Sequence, residues 1–313
     1  MSKVIVFGSL NMELSMECDR IPHASESVMG TDFITNPGGR GGNQAIAAAR
    51  MGAETYMIGT VGPDNFGRKI ISSLVRYGVS TENIVISTKK KTGVSMRLRS
   101  DNDQRSIVFS GANVRTDLAH VRATLMGIAA PGDVFLTQLE CDYYTTMQAI
   151  IFAKERGLYT VLNPTPAMEI LPETLACVDL LVLNEKECET LTGYDPSDQA
   201  NLRLALASIL EMGVGKVVVT LGNRGSATLI DGKVITVPAY YVKAIDTTGA
   251  GDAYLGALMT QHTDGKGLVE AMQIASAAGA LATLKVGSHQ SMPSLDNVID
   301  FMAENGEQVE RDD

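Results

Sequence analysis

The chain has little of what builds metal centres or covalent staples. Its four cysteines, Cys18, Cys141, Cys177 and Cys188, lie far apart and form no CxxC pair, so neither a zinc site nor a disulfide framework is expected. The four histidines, His23, His120, His262 and His289, are equally scattered and no HExxH occurs, which argues against a metal centre built on histidine. Cations are short as well, 26 Lys and Arg against 36 Asp and Glu for a net charge of -10. Nucleic-acid binding depends on clustered Lys and Arg that release counterions, so no nucleic-acid partner is expected, although a local anion site remains allowed. No stretch approaches the roughly 18 apolar residues of a membrane span. The start, MSKVIVFGSLNME, has neither a long apolar core nor a cleavage site. No membrane association is expected, and the chain reads as cytoplasmic.

Several nucleotide motifs are missing too. There is no GxxxxGK[ST] and no HRD or DFG set, and no GxGxxG is complete, because Gly39/Gly41 continues to Gln44 and Gly249/Gly251 continues to Tyr254. A Walker phosphate loop, a protein kinase and a nicotinamide-dependent oxidoreductase are all disfavoured on this ground.

What is present is 313 residues, 45% hydrophobic, enough to bury roughly three quarters of the unfolded chain's surface without a staple. Short apolar runs at 3–8, 134–136, 160–162, 180–183 and 217–220 read as strands buried on both faces. Segments 43–51, 142–156, 198–212, 250–262 and 268–284 carry Ala, Leu, Ile and Met at helical spacing. Alternating strand and helix implies an α/β fold, a doubly wound and mostly parallel sheet flanked by helices, with ligands beyond the carboxyl ends of its strands. Residues 12–36 and about 92–110 alternate like strands with no helix between them, and are expected to pair into a small antiparallel sheet, either a lid or two decorated hairpins. No repeat or Pro/Ser-rich linker divides the chain, so one domain over 1–313 with these two insertions is expected. The charged tail 305–313 is expected to fray.

Two glycine clusters open helices. Pro37-Gly38-Gly39-Arg40-Gly41-Gly42-Asn43-Gln44 precedes an alanine-rich helix and is either a tight connection or a place where backbone meets a ligand, with Arg40 and Asn43 suited to hydroxyls. Asp246-Thr247-Thr248-Gly249-Ala250-Gly251-Asp252 opens another. The amides of Gly249, Ala250 and Gly251 can converge on a charged oxygen at the positive end of a helix dipole. Asp252, in the first turn, either accepts the proton of an attacking hydroxyl or merely complements the dipole; the helix start favours its ionised form.

Taken together, GGRGGNQA, Asn184-Glu185-Lys186-Glu187, the turn Thr220-Leu221-Gly222-Asn223-Arg224-Gly225 and DTTGAGD resemble the PfkB family of carbohydrate kinases, nearest its ribokinase branch. The four motifs occur in the family's order, and the similarity runs from Gly8-Ser9-Leu10-Asn11 to Ser291-Met292-Pro293.

The resemblance implies a kinase moving the ATP γ-phosphate to the primary hydroxyl of a pentose such as ribose. Asp252 matches the general base, and Gly249, Ala250 and Gly251 match the anion hole. Asn11, Glu13, Gly39, Arg40, Gly41, Gly42, Asn43 and Glu140 fall on the sugar side. Asn184 and Glu187 match the residues that organise Mg2+ and the phosphates, through water; without the family, Glu185, Glu187 and Glu189 read as an exposed acidic helix start. Thr220, Gly222, Gly225, Gly251 and Ser276 fall on the ATP side. Asp246, Thr248, Ala282, Lys285, Gly287 and Ser291 fall on a K+ loop used by many members. Relatives of this branch cover the sugar with a sheet and dimerise through it, so a homodimer is expected.

Two departures lie at the sugar end. The ribokinase branch typically has Asp where this chain has Glu13, and GGKGANQ around Arg40. Glu reaches one methylene further, and Arg offers a planar fork where Lys is a point charge, so the sugar stays open: ribose, deoxyribose, fructose or a nucleoside. A catalytically silent sugar-binding relative is the other alternative.

Overall fold

A computed structural model describes residues 2–100 and 104–309. In chain order the elements are β1 (Val4–Phe7), β2 (Asn11–Cys18), β3 (Gly30–Gly38), α1 (Arg40–Arg50), β4 (Thr55–Val61), α2 (Asn65–Arg76), β5 (Ile84–Ile86), β6 (Gly93–Arg99) and β7 (Gln104–Phe109). They continue as α3 (Leu118–Ile128), β8 (Val134–Gln138), α4 (Tyr143–Glu155), β9 (Tyr159–Asn163), α5 (Pro172–Leu175), β10 (Leu180–Asn184), α6 (Glu185–Thr192), α7 (Gln199–Glu211) and β11 (Lys216–Thr220). The chain closes with β12 (Ser226–Ile230), β13 (Lys233–Val237), α8 (Ala250–Thr263), α9 (Leu268–Ala282) and α10 (Leu295–Val309).

Nine strands form the main sheet in the order β13-β12-β11-β10-β9-β8-β1-β4-β5. All pair in parallel except β12 and β13, an antiparallel hairpin at one edge. Every residue of β1 is buried, because helices cover both faces of a parallel sheet. Val4 and Val6 face a core shared with α1, α8 and α9 residues such as Ala47, Leu255 and Ala278. Ile5 and Phe7 face the other core, with Leu125, Ile150 and Leu206 from α3, α4 and α7. The order runs from β1 through β4 to β5 on one side and from β8 to β11 on the other, which makes β1/β8 a topological switch point.

The segments without helices make a second sheet, β3-β2-β6-β7. Its outer pairs β2–β3 and β6–β7 are antiparallel, and the two hairpins join through a parallel β2–β6 pair. Residues directly opposite one another share a face. One face carries Glu13 beside Asn36 and Ser95, and Ser15 beside Ile34 and Arg97. The other carries Met16 beside Phe33, and Leu14 beside Met96, which pairs in turn with Ile107. The tail departs from its expectation: residues 305–309 continue α10, since Phe301 and Met302 pack against the core and hold the helix; the rest of the tail, like 101–103 of the second insertion, lies outside the described residues. Among the described residues no helix is long and apolar enough to cross a membrane.

Candidate active site

Polar residues gather at the carboxyl ends of five adjacent parallel strands. Ser9 and Asn11 follow β1, Gln138 and Glu140 end β8, Asn163 and Thr165 end β9, Asn184 and Glu187 follow β10, and Thr220 ends β11. A parallel sheet exposes its strand ends to a crevice there, so this edge is where a ligand meets polar groups from many elements.

At its centre is Asp252, 4% exposed, in the first turn of α8. Asn43 Nδ2 donates to its Oδ2 at 2.8 Å and Gln44 Nε2 to its Oδ1 at 2.9 Å. Arg40 Nη1 lies 3.6 Å from Oδ1. Gln44 is itself held, accepting from Gln138 Nε2 at 2.6 Å and donating to Asn163 Oδ1 at 3.2 Å. This network requires α1 to lie very close to α8. Gly256, one turn beyond Asp252, provides the space: a Cβ there would stand 2.4 Å from Ala47 Cβ and 2.7 Å from Ala48 N.

The helix start beside Asp252 has donors to spare. Gly249 caps α8 at φ +80°, and Ala250 N–H makes only a long 3.3 Å bond to Thr247 O. The N–H groups of Gly249, Gly251 and Asp252 donate to no protein group among the described residues, as expected of a first helical turn. A Cβ on Gly251 would meet nothing within 4 Å, so the approach to these amides is open.

The glycines before α1 serve backbone approach. A Cβ on Gly39, whose φ is +91°, would stand 2.6 Å from Asn11 N, and one on Gly41 2.7 Å from Gly8 Cα. Gly42 is buried against His289 and Leu10. The α1 start is thereby pressed onto the β1–β2 connection, which sets Arg40 and Asn43 beside the residues of the neighbouring strand ends. Asn11 accepts from Asn113 Nδ2 at 2.8 Å, and Ser9 Oγ donates to Glu140 across the β1/β8 switch point. Glu13 accepts from Ser288 Oγ at 2.6 Å. Burial pushes the Glu13 carboxyl above its usual range against the Ser288 hydrogen bond and the Arg97 charge. Burial likewise raises Glu140, opposed by Ser9 and Arg40.

Asn184 and Glu187 form a reciprocal capping box on α6: Glu187 N–H donates to Asn184 Oδ1 and Asn184 N–H to Glu187 Oε2, both at 2.9 Å. Thr165 Oγ1 donates to the other Glu187 oxygen. The alternative of an exposed acidic helix start fits Glu185 and Glu189, whose carboxylates pair at the surface with Arg224 and Lys186, and not Glu187, which is 6% exposed. Among the described residues no group of three acidic, His or Cys side chains is disposed to hold a metal ion. Thr220 Oγ1 reaches Leu183 O at 3.5 Å, and the turn after it has Gly222 at φ +59° and Gly225 at φ +93°. A Cβ on Gly225 would stand 2.0 Å from Val237 O and 2.7 Å from Pro238 C. Ser276 Oγ on α9 donates to Pro238 O at 2.9 Å, so the turn and Ser276 meet through Pro238.

Asp246 ends the loop into α8. Its Oδ1 accepts from Thr248 N–H at 3.0 Å and from Thr248 Oγ1 at 2.7 Å, and its Oδ2 from Gly287 N–H at 3.2 Å. Burial works to raise this carboxyl, but those bonds and the nearby Arg99 outweigh it and hold it below the usual range. The carbonyls of Thr248, Ala282, Lys285 and Gly287 accept no hydrogen bond among the described residues. Ser291 Oγ donates to Ser288 O at 2.9 Å.

Gln44, Gln138, Asn163, Thr165 and Ser288 join this site without having been singled out in the sequence. The signal for three of them is positional, since Gln138, Asn163 and Thr165 are polar residues within three positions of the ends of predicted buried strands.

A model of the family described as pfkB family carbohydrate kinase matches residues 1–295. The chain is 34% identical over 300 residues to a ribokinase of Lactococcus lactis, covering 95% of this chain and 96% of the relative. It is 32% identical over 298 residues to a ribokinase of Haemophilus influenzae, covering 95% and 97%. The solved structure of Arabidopsis thaliana ribokinase complexed with ribose and ATP is similar with a TM-score of 0.87 and 29% identity, over 96% of this chain and 98% of that one.

Proposed function

The chain belongs to the pfkB family of carbohydrate kinases, and from that premise we propose that it uses Asp252 as general base to phosphorylate the primary hydroxyl of a pentose, ribose first among them. It is a ribokinase-like sugar kinase, and ATP is the phosphate donor. The observation that carries the mechanism is Asp252 beside a helix start where the Gly249, Gly251 and Asp252 amides are unspent and Ala250 makes only a long bond. Asp252 takes the hydroxyl proton as the sugar oxygen attacks the γ-phosphorus; the new O–P bond forms as the bond to the β-phosphate oxygen breaks, and ADP leaves. The amides of Gly249, Ala250 and Gly251 receive the charge that builds on the transferred group. Asn43 and Gln44 fix the Asp252 carboxylate, and Arg40 offsets its charge.

For the sugar we assign Asn11, Glu13, Gly39, Arg40, Gly41, Gly42, Asn43 and Glu140. Asn43 supports this, because its Oδ1 is a buried acceptor with no protein partner, ready for a hydroxyl. For ATP we assign Thr220, Gly222, Gly225, Gly251 and Ser276 with Asn184 and Glu187. Both Glu187 oxygens already accept protein hydrogen bonds, which supports a link to Mg2+ through water. Bound with the nucleotide, Mg2+ would neutralise phosphate charge. The unspent carbonyls of Thr248, Ala282, Lys285 and Gly287, with Asp246 and Ser291, support K+ binding on that loop.

The second sheet acts as lid on a single kinase domain, with the Glu13 face inward. Its other face exposes Met16, Phe33, Met96, Ile107 and Phe109, and a second copy of the same sheet covers it in a homodimer. The reaction belongs in the cytoplasm, where ATP is available. The test is ADP formation by the purified protein with Mg-ATP and ribose. Asp252→Asn should lower kcat by about 10^2 to 10^4-fold, and full activity in that variant would sink the mechanism.

A further inference from the structure

Two departures from the ribokinase pattern converge on one dipeptide. Glu13 stands where that branch has Asp, and Gly42 stands where GGKGANQ has Ala. Both meet the connection between α9 and α10, at Ser288 and His289. Ser288 Oγ donates to Glu13 Oε2 at 2.6 Å. A Cβ on Gly42 would stand 3.2 Å from His289 Nε2, so the absent methyl makes room for that ring.

Ser288 is firmly placed. It is fully buried, its carbonyl accepts from Ser291 Oγ at 2.9 Å, and the adjoining His289 ring is paired with Ser73 of α2 at 2.8 Å. Glu13 arrives from the other side, on β2 of the second sheet. Its carboxylate lies against Gly38, where a Cβ would stand 2.3 Å from Oε1. Arg97 lies on the same face, two residues beyond the cross-strand neighbour Ser95, and supplies the counter-charge. With one methylene less, Asp at this position would stop short of the 2.6 Å contact with Ser288.

We infer that Ser288 is a positioning residue that sets sugar specificity by fixing the Glu13 carboxylate at the sugar end of the site. The inference rests on the sugar-side reading of Glu13 above. A carboxylate offers roughly four acceptor positions, so the Ser288 bond orients Glu13 and leaves acceptors for sugar hydroxyls. Discrimination among similar polyols depends on such acceptors standing in one place. A carboxylate free to swing accepts from many hydroxyl patterns alike, and Ser288 removes that freedom from the side of the main domain.

The test is steady-state kinetics of wild type, Ser288→Ala, Glu13→Ala and the double variant, with Mg-ATP in KCl, on ribose, 2-deoxyribose and fructose. Ser288→Ala should raise the KM for the preferred sugar about tenfold or more, the scale of one hydrogen bond to a charged group, and move the KM for ATP by less than about threefold. Its preference in kcat/KM for that sugar over the other two should shrink about tenfold. In the Glu13→Ala background the same substitution should change the sugar KM by less than about twofold, because Ser288 acts through Glu13. An unchanged sugar KM in Ser288→Ala, an equal rise in the KM for ATP, or the same loss in both backgrounds would each overturn the inference. Absence of ADP from every sugar in the wild type would instead count against the kinase reading. Urea unfolding of the four proteins would then decide the role of Ser288: non-additive losses at the two positions support it, and additive ones overturn it.

Discussion

Asp252 owes its closest side-chain contacts, and the packing that allows them, to residues that carry no charge. Gly256 lies one turn further along α8, and a Cβ there would collide with the backbone and side chain of α1. Helix propensity alone favours Ala over Gly by about 1 kcal/mol, whereas overpacking a close helix contact costs about 1–3 kcal/mol. The contact should win. Gly256→Ala is expected to lower Tm and also kcat, because separating α1 from α8 withdraws Asn43 and Gln44 from the Asp252 carboxylate; urea unfolding and steady-state kinetics check both parts. At this scale the motif around 249–252 was legible, since small residues before an acidic residue at a helix start point to chemistry by type and spacing. Gly256 was not, because in sequence it is one more glycine in an apolar helix, and only the 2.4 Å approach to Ala47 gives it meaning.

Among the elements, α6 and the second sheet carry the clearest consequences. The capping box joins the stability of α6 to the position of Glu187, so Asn184→Ala should cost about 1 kcal/mol and raise the KM for ATP more than that for the sugar. Denaturant midpoints and kinetics with each substrate varied check this. The sheet places apolar residues on the face turned away from Glu13, against the usual pattern for a solvated surface. Ile107→Glu, at an exposed position in β7, is expected to convert the homodimer we propose to monomer in analytical ultracentrifugation, with its main-sheet core unaffected. The main helices fall within a few residues of their sequence reading; α1 starts at Arg40 and not at 43, because Gly41 and Gly42 continue the helix, Gly41 where the Gly8 backbone leaves no room for a Cβ and Gly42 in tight contact with His289 and Leu10. The β12–β13 edge hairpin was not legible, since short strands of mixed polarity at a sheet edge carry little periodic signal. The parallel join between the two lid hairpins was equally hidden, because pairing partners some 80 residues apart leave no local trace.

For the molecule as a whole, acid sensitivity follows from one buried side chain. Burial holds His289 down at about 3, with Nδ1 paired to Ser73 Oγ at 2.8 Å. An unfolded chain binds a proton there near the ordinary value of about 6.5, so the unfolded state gains protons first as pH falls. Stability should therefore drop from about pH 6.5 toward 3, by up to about 1.4 kcal/mol per pH unit from this residue. His289→Asn should flatten that slope in urea titrations between those limits, and an unchanged slope would refute the assignment. The sequence by itself determined the alternating α/β architecture, the two glycine-opened helices, the acidic residue at the second of them and the family, because local periodicity, small residues and motif order are all written along the chain. Only the tertiary structure decided that Gln44, Gln138 and Asn163 hold Asp252, that Glu187 is spent on a cap and on Thr165, and that lid arginines touch the Asp246 loop. Apart from the local cap, those are contacts between residues 22 to 208 positions apart, and side chains brought together by crossovers and close helix packing have no signature in the spacing of either partner.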